Sequence, residues 1–128
     1  MSQSELVVFN DPKSPISESF RTLRTNIQFM NMNKELKCLL VTSSFPGEGK
    51  SWVSSNLAIT FAQLGQKVLL IDADLRKGRL YKVFETPQKP GLSNYLSKMS
   101  ANEAGKKENF NEIVKKTVEP NLYFIPSG

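Results

Sequence analysis

The chain has 128 residues, one cysteine, no histidine and a formal net charge of +5. This length fits one domain with a single hydrophobic core. A lone Cys38 excludes a disulfide framework, and the missing histidine excludes histidine-based catalysis and argues against a zinc cluster.

The N-terminal sequence MSQSELVVFN lacks the basic, apolar and small-residue order of a signal peptide. No window approaches the roughly 20 apolar residues of a membrane span. The sequence therefore predicts a cytoplasmic protein. A basic group follows later in the chain, at Arg76, Lys77, Arg79 and Lys82. Phosphate on a nucleotide, a nucleic acid or a lipid surface would suit it, and a solvated surface is the alternative.

The first predicted elements are an arm and a helix. Residues 1–13 form an N-terminal arm that ends in the Asp11-Pro12 turn signal, and residues 14–128 form the remaining domain. Ser14-Pro15 predicts a helix start. Apolar residues then recur at helical spacing to about residue 31, at Phe20, Leu23, Ile27 and Met30.

Two predicted strands flank a central helix. The apolar runs 38–42 and 67–71 are typical of strands buried on both faces. Between them, apolar residues at helical spacing predict a helix that ends near Gly65.

The remaining predictions are shorter elements. We expect two short helices between Leu80 and Leu96, a surface loop over 97–109, a helix around 110–117 and a strand over 122–125. Strands that alternate with helices indicate an α/β fold with a parallel sheet.

The segment SSFPGEGKS, residues 43–51, is typical of a phosphate-binding loop between a strand and a helix. In the pattern G-x-x-x-x-G-K-[ST], Lys50 reaches the β- and γ-phosphates and the Ser51 hydroxyl binds magnesium. Gly47 and Gly49 let backbone N–H groups surround the anion. Ser44 replaces the first glycine of the pattern.

The segment VLLIDADLR, residues 68–76, delivers Asp72 and Asp74 to the end of a predicted strand. Side chains two residues apart point the same way if the extended geometry persists. Carboxylates there suit magnesium, and one of them can take the proton of an acceptor hydroxyl. The alternative is an acidic turn in which Asp74 caps a helix.

These motifs resemble those of the bacterial tyrosine kinases, or BY-kinases, of capsule and exopolysaccharide synthesis. VTSSFPGEGKS resembles that family's Walker A motif, and LLIDADLR resembles its A-prime motif. Glu18, Arg21 and Arg24 fit an E-x-x-R-x-x-R helix. GLSNYL (91–96) and NLYFIPSG (121–128) also resemble family segments.

The resemblance implies Mg-ATP as cofactor. Lys50, Asp72, Asp74 and Arg76 become the catalytic candidates, with Asp72 as the base for a tyrosine hydroxyl. Magnesium would be held by Ser51, Asp72 and Asp74. The implied ATP-binding residues are Ser44, Pro46, Gly47, Glu48, Gly49, Lys50, Ser51 and Trp52. For Trp52, packing in the core is the preferred role and contact with adenine the alternative.

The resemblance also implies partners. In the family the Glu18, Arg21 and Arg24 helix joins subunits into a ring, although residues at three-residue steps can equally pair within one helix. The resemblance implies a membrane-bound co-polymerase that would activate the kinase at the inner face of the membrane, and substrates that would be tyrosines of the kinase itself and of other proteins. No nucleic acid is expected, because no reading helix or stacking surface is recognisable.

The fold class implied is a P-loop NTPase-like α/β domain, truncated before the Walker B strand. We therefore expect weak or no activity from the chain alone. One alternative is a deviant-Walker partition or septum-type ATPase, although its signature lysine position is Phe45 here. The other is a non-catalytic module for oligomerisation or docking.

Overall fold

The computed structural model describes residues 3–30, 35–44, 49–101 and 110–128. Within these ranges the elements follow in chain order after a 3-10 turn at Gln3–Glu5. They are α1 (Val7–Asn10), α2 (Pro15–Met30), α3 (Lys50–Ala62), β1 (Val68–Ile71), α4 (Leu80–Val83), α5 (Leu92–Ala101), a 3-10 turn at Phe110–Glu112, β2 (Lys115–Lys116) and β3 (Leu122–Ile125).

Helix α2 begins where the sequence predicts. The Ser14 hydroxyl accepts a hydrogen bond from the Ser17 backbone N–H at 3.1 Å, and Pro15 is the first helical residue. Of its predicted apolar stripe, Phe20 is buried, whereas Leu23 and Met30 remain exposed. The contact of α2 with α3 therefore covers only part of that stripe.

The N-terminal arm packs on α3. Leu6 and Val8 are fully buried, and the Asn56 side chain of α3 joins the arm through two hydrogen bonds. Its Oδ1 accepts from the Val8 N–H at 3.1 Å, and its Nδ2 donates to the Glu5 carbonyl at 3.1 Å. The arm is thus part of the core.

The sheet has the order β1-β3-β2. Strands β1 and β3 are parallel, as predicted, with Val68 opposite Leu122. Val68 and Leu70 of β1 pack against the core that α3 contributes to, while Leu69 and Ile71 point to the other face and are nearly half exposed. The mixed α/β class is confirmed, with β2 as an additional antiparallel strand.

The predicted strand over 38–42 is wrong, because this run is irregular in the structure and Leu40 is 83% exposed. A central strand needs a neighbouring strand for its backbone groups and side-chain layers over both faces. In the described part of the chain, this run has neither.

The predicted helix around 110–117 is also wrong. A single 3-10 turn is followed by β2, which pairs with β3, with Lys116 opposite Tyr123. An eight-residue helix is marginal, and β-branched Val114 and Thr117 favour an extended chain once a partner strand is available.

The two short helices between Leu80 and Leu96 are confirmed as α4 and α5, but α5 continues to Ala101, into the predicted loop. No helix among the described residues is long and apolar enough to cross a membrane.

Candidate functional site

The site begins at the N-terminus of α3. Gly49 precedes the helix with φ of 84°, a left-handed conformation that glycine adopts without strain. Lys50 and Ser51 are the first two helical residues. The free N–H groups of this end give it a partial positive charge that favours an anion. Ser44 is exposed before it, and the predicted ATP-binding residues Pro46, Gly47 and Glu48, like Phe45, lie outside the described residues.

Asp72 lies at the end of β1 and is only 7% exposed. Its N–H donates to the Ile125 carbonyl at 3.0 Å, which continues the ladder with β3. Its carboxylate accepts two backbone hydrogen bonds, from Asp74 N–H at 3.1 Å and from Leu80 N–H at 3.3 Å. The strand and the start of α4 together fix this carboxylate.

Asp74 lies between a turn and Lys50. Its Oδ1 accepts from the N–H groups of Lys77 at 2.9 Å and Arg76 at 3.3 Å, so it caps the turn before α4. Its Oδ2 lies 3.9 Å from the Lys50 Nζ. The structure therefore joins the two interpretations of this residue: one oxygen caps the turn, and the other faces the lysine of the phosphate loop.

The two aspartates have opposite pKa shifts. Burial raises the pKa of Asp72, although the N–H groups of Asp74 and Leu80 and the charge of Lys50 oppose it. The hydrogen bond from Lys77 is the main cause that lowers the pKa of Asp74, with smaller contributions from Arg76 and Lys50. Asp74 therefore stays ionised to lower pH than an ordinary aspartate because its pKa is lowered, while Asp72, with its raised pKa, binds a proton more readily.

The donor set fits magnesium. Mg²⁺ uses one or two carboxylates together with phosphate and water, rather than a complete cage of protein ligands. Of the predicted ligands, Asp72 and Asp74 have carboxylate oxygens and Ser51 has a hydroxyl, so their residue types are ones that magnesium uses. No group of three or more His, Cys, Asp or Glu that could hold a metal ion occurs among the described residues.

The neighbouring predicted residues differ in their environment. Trp52 packs edge-on against Phe20 of α2, with ring centroids 5.1 Å apart, which is the packing role preferred from the sequence. Arg76 is exposed, and its backbone N–H donates to Asp74.

The three residues of the E-x-x-R-x-x-R pattern make contacts within the chain. Arg21 forms an ion pair with Glu18 at 2.9 Å and also donates to the Pro12 carbonyl. Arg24 donates to the Thr60 carbonyl of α3 at 3.0 Å. Glu18 and Arg21 thus pair within one helix, while Arg24 connects α2 to α3.

Sequence reasoning missed several groups that shape the site. The donors to the carboxylates are backbone N–H groups, which have no residue signature, apart from the preference of aspartate for capping a turn. Gly78 is also missed: a Cβ there would collide with the Ser127 side chain, so the turn after Asp74 packs closely on the chain that leaves β3. The glycine in RKGR signals a turn, but not its neighbour.

A model of the AAA domain family matches residues 36–128. Among curated proteins, the chain is 41% identical over 126 residues to Tyrosine-protein kinase YwqD of Bacillus subtilis, covering 98% of this chain and 50% of the relative. It is 41% identical over 125 residues to Putative tyrosine-protein kinase CapB of Staphylococcus aureus, covering 98% of this chain and 51% of the relative.

Solved structures give the same grouping. The chimerical protein CapA2B2 superposes with a TM-score of 0.86 at 36% identity, covering 98% of this chain and 51% of that chain. The kinase domain of Escherichia coli tyrosine kinase ETK superposes with a TM-score of 0.84 at 34% identity, covering 96% and 45%. The chain spans about half the length of these relatives.

Proposed function

Since the chain belongs to the AAA domain family and, within it, to the bacterial tyrosine kinases, we propose that it is the nucleotide-binding portion of a protein tyrosine autokinase that regulates capsular or exopolysaccharide synthesis. The observation that carries the proposal is the position of Lys50, 3.9 Å from Asp74 and at the N-terminus of α3. A phosphate-binding helix end and a pair of carboxylates are the two halves of a phosphoryl-transfer site.

The proposed reaction transfers the γ-phosphoryl group of ATP to a tyrosine. The phenolic oxygen forms a bond to the γ-phosphorus, the bond to the β,γ-bridging oxygen breaks, and ADP leaves. Asp72 takes the phenolic proton, a role that suits a carboxylate whose pKa is raised by burial. Lys50 and the helix N-terminus hold the phosphates, and Arg76 steadies their charge.

Magnesium would be held by Asp72, Asp74 and Ser51, and when bound it neutralises charge on the phosphates. Asp74 suits this role because its lowered pKa keeps it ionised. Its turn hydrogen bonds also fix its orientation before any ion arrives.

We further propose a ring-forming homo-oligomer and a cytoplasmic location at the inner face of the membrane, beside a membrane-bound co-polymerase. Glu18, Arg21 and Arg24 are the proposed interface. For the first two, intersubunit contacts would have to replace or extend the ion pair within α2.

The test is phosphotyrosine formation with Mg-ATP by this chain alone and by this chain joined to the second half of the Bacillus subtilis relative. We expect weak or no signal from the chain alone and a clear signal from the fusion. Lys50→Ala should remove that signal, and Asp72→Asn should reduce it by about a hundredfold or more, as expected for loss of a general base. ATP binding is measured in parallel on each protein.

ATP binding and hydrolysis without phosphotyrosine in the fusion would contradict the kinase and favour the deviant-Walker ATPase. A cellular effect that survives Asp72→Asn but not charge reversal at Arg21 and Arg24 would favour a docking module.

A further inference from the structure

The segment that follows Asp72 and Asp74 is rich in positive charge. Residues 75–91 contain five lysines or arginines and a single acid, Glu85, so most of the chain's net charge of +5 resides there. Four of these cations are called the basic segment here, and all four are exposed: Arg76, Lys77, Arg79 and Lys82. None of the ion pairs of the described residues involves them.

The backbone of the basic segment is held in place at three points. The N–H groups of Arg76 and Lys77 donate to Asp74, and the N–H of Leu80 donates to Asp72. Between them, Gly78 packs so closely on Ser127 that a larger residue would not fit. A fixed backbone lowers the entropic cost of using these side chains to bind a partner.

The same three contacts place the segment beside the candidate site. The carboxylates that accept its N–H groups are the proposed proton acceptor and the proposed metal ligand. A molecule that brings a hydroxyl to Asp72 therefore passes close to four cations that form no ion pair among the described residues. Their positive potential raises the local concentration of an anionic partner and disfavours a cationic one.

From this arrangement we propose that the basic segment binds acidic residues around the acceptor tyrosine, so that the site selects tyrosines flanked by aspartate or glutamate. The inference rests on the proposed function, because it names the substrate class of that same site. Arginine and lysine on a rim set partner choice and association rate more than total affinity.

A peptide fits the observations better than a lipid surface does. The segment adjoins Asp72 and Asp74 through direct hydrogen bonds, so a membrane lying on it would also lie across the route of the acceptor. A flexible acidic peptide can contact the cations and still deliver its tyrosine.

The test measures binding, so it does not depend on phosphoryl transfer. A labelled glutamate-rich peptide with a central tyrosine is titrated with this chain by fluorescence anisotropy, beside the same peptide with glutamine in place of glutamate. We expect the acidic peptide to bind more tightly and its affinity to fall as salt rises to about 0.15 M. Equal binding of both peptides would overturn the proposal without the use of any variant.

Two triple variants with equal loss of charge locate the effect. Lys77→Gln, Arg79→Gln and Lys82→Gln together should weaken binding of the acidic peptide about tenfold, from the sum of three surface ion pairs. The control, Lys13→Gln, Lys67→Gln and Lys116→Gln, removes exposed cations elsewhere and should leave the affinity within about twofold. Equal weakening by both variants would overturn the proposal, because net charge alone would then explain it.

Tighter, segment-dependent binding to phosphatidylserine vesicles or to a single-stranded oligonucleotide than to the acidic peptide would also overturn it, in favour of a lipid or nucleic-acid surface. The outcomes separate the two proposals. Selective peptide binding by a fusion that makes no phosphotyrosine would establish the acidic-peptide binding surface and refute the kinase, and with it the selection of acceptor tyrosines. Equal phosphorylation of both peptides by the fusion would support the kinase and refute the selection of acidic peptides.

Discussion

The two faces of β1 are built from similar residues and have opposite surroundings. On one face Val68 and Leu70 pack into the core with fully buried Phe124. On the other face Leu69 and Ile71 are 43% and 45% exposed. Leu69 on this open face lines a shallow hollow of about 220 Å³ together with Lys67, Val114 and Tyr123.

This difference in exposure shows that the apolar composition of a strand does not indicate how many of its faces are covered. Residues 68–71 read VLLI, which is typical of a strand buried on both sides. In the described part of the chain only one layer covers it. The pattern of residues 68–71 is thus typical of a doubly covered strand, whereas the described residues cover one side of it.

The largest expected effect comes from truncating matched leucines on the two faces. Leu122→Ala removes a side chain that is 1% exposed and should cost about 2–5 kcal/mol in the free energy of unfolding, because a cavity remains. Leu69→Ala on the open face should cost about 1 kcal/mol or less, since half the side chain is already in water. Urea unfolding measures both, and equal losses would show that the open face is covered in solution.

A smaller effect is expected from the hydrogen bonds that fasten the arm on the closed side. Asn56→Ala leaves the buried Val8 N–H without its acceptor and should destabilise the chain by about 1–3 kcal/mol. Asn121→Ala is the control: it removes one longer bond, 3.3 Å, to the Ala62 carbonyl and should cost about 1 kcal/mol or less. Thermal unfolding measures the loss of stability in both variants. A larger loss for Asn121→Ala than for Asn56→Ala would contradict the role given to the arm.

The smallest effect is a pH dependence at the end of β1, measured without metal or nucleotide. Folding raises the pKa of Asp72, so its contribution to stability is fully present below the unfolded value near pH 4 and is lost as pH rises through the folded value. Folding lowers the pKa of Asp74, whose contribution is present above about pH 4 and is lost as pH falls through the folded value.

Melting temperatures of Asp72→Asn and Asp74→Asn between about pH 3 and about pH 7 check both signs. As pH rises, the melting temperature of the unmodified chain should fall relative to that of Asp72→Asn. It should rise relative to that of Asp74→Asn. Parallel curves for the two variants would mean that the two aspartates have the same environment.

Local signals predicted much of this structure. Ser14-Pro15 fixes the start of α2, Gly49-Lys50-Ser51 marks the start of α3, and the apolar runs before Asp72 and Pro126 are strands. Each depends on neighbouring residues in the chain. The predicted strand over 38–42 is wrong because a strand depends on a partner strand elsewhere in the chain. The predicted helix around 110–117 is wrong because β3 provides a partner strand for residues 115–116.

The candidate site divides in the same way. Residue types and spacing identified Lys50, Asp72 and Asp74, and the structure places Lys50 beside Asp74. The N–H groups that orient the carboxylates, and the packing of Gly78 on Ser127, arise only when distant segments meet. No pattern along the chain encodes them.

The contact between Trp52 and Phe20 has an optical consequence. Trp52 is the only tryptophan of the chain, so all indole emission comes from one position. That indole directly follows Ser51 of the phosphate loop and rests edge-on against the helix that carries Glu18, Arg21 and Arg24. The emission wavelength of the unlabelled protein therefore reports on the junction between the start of α3, where the predicted phosphate loop ends, and the proposed oligomerisation helix α2.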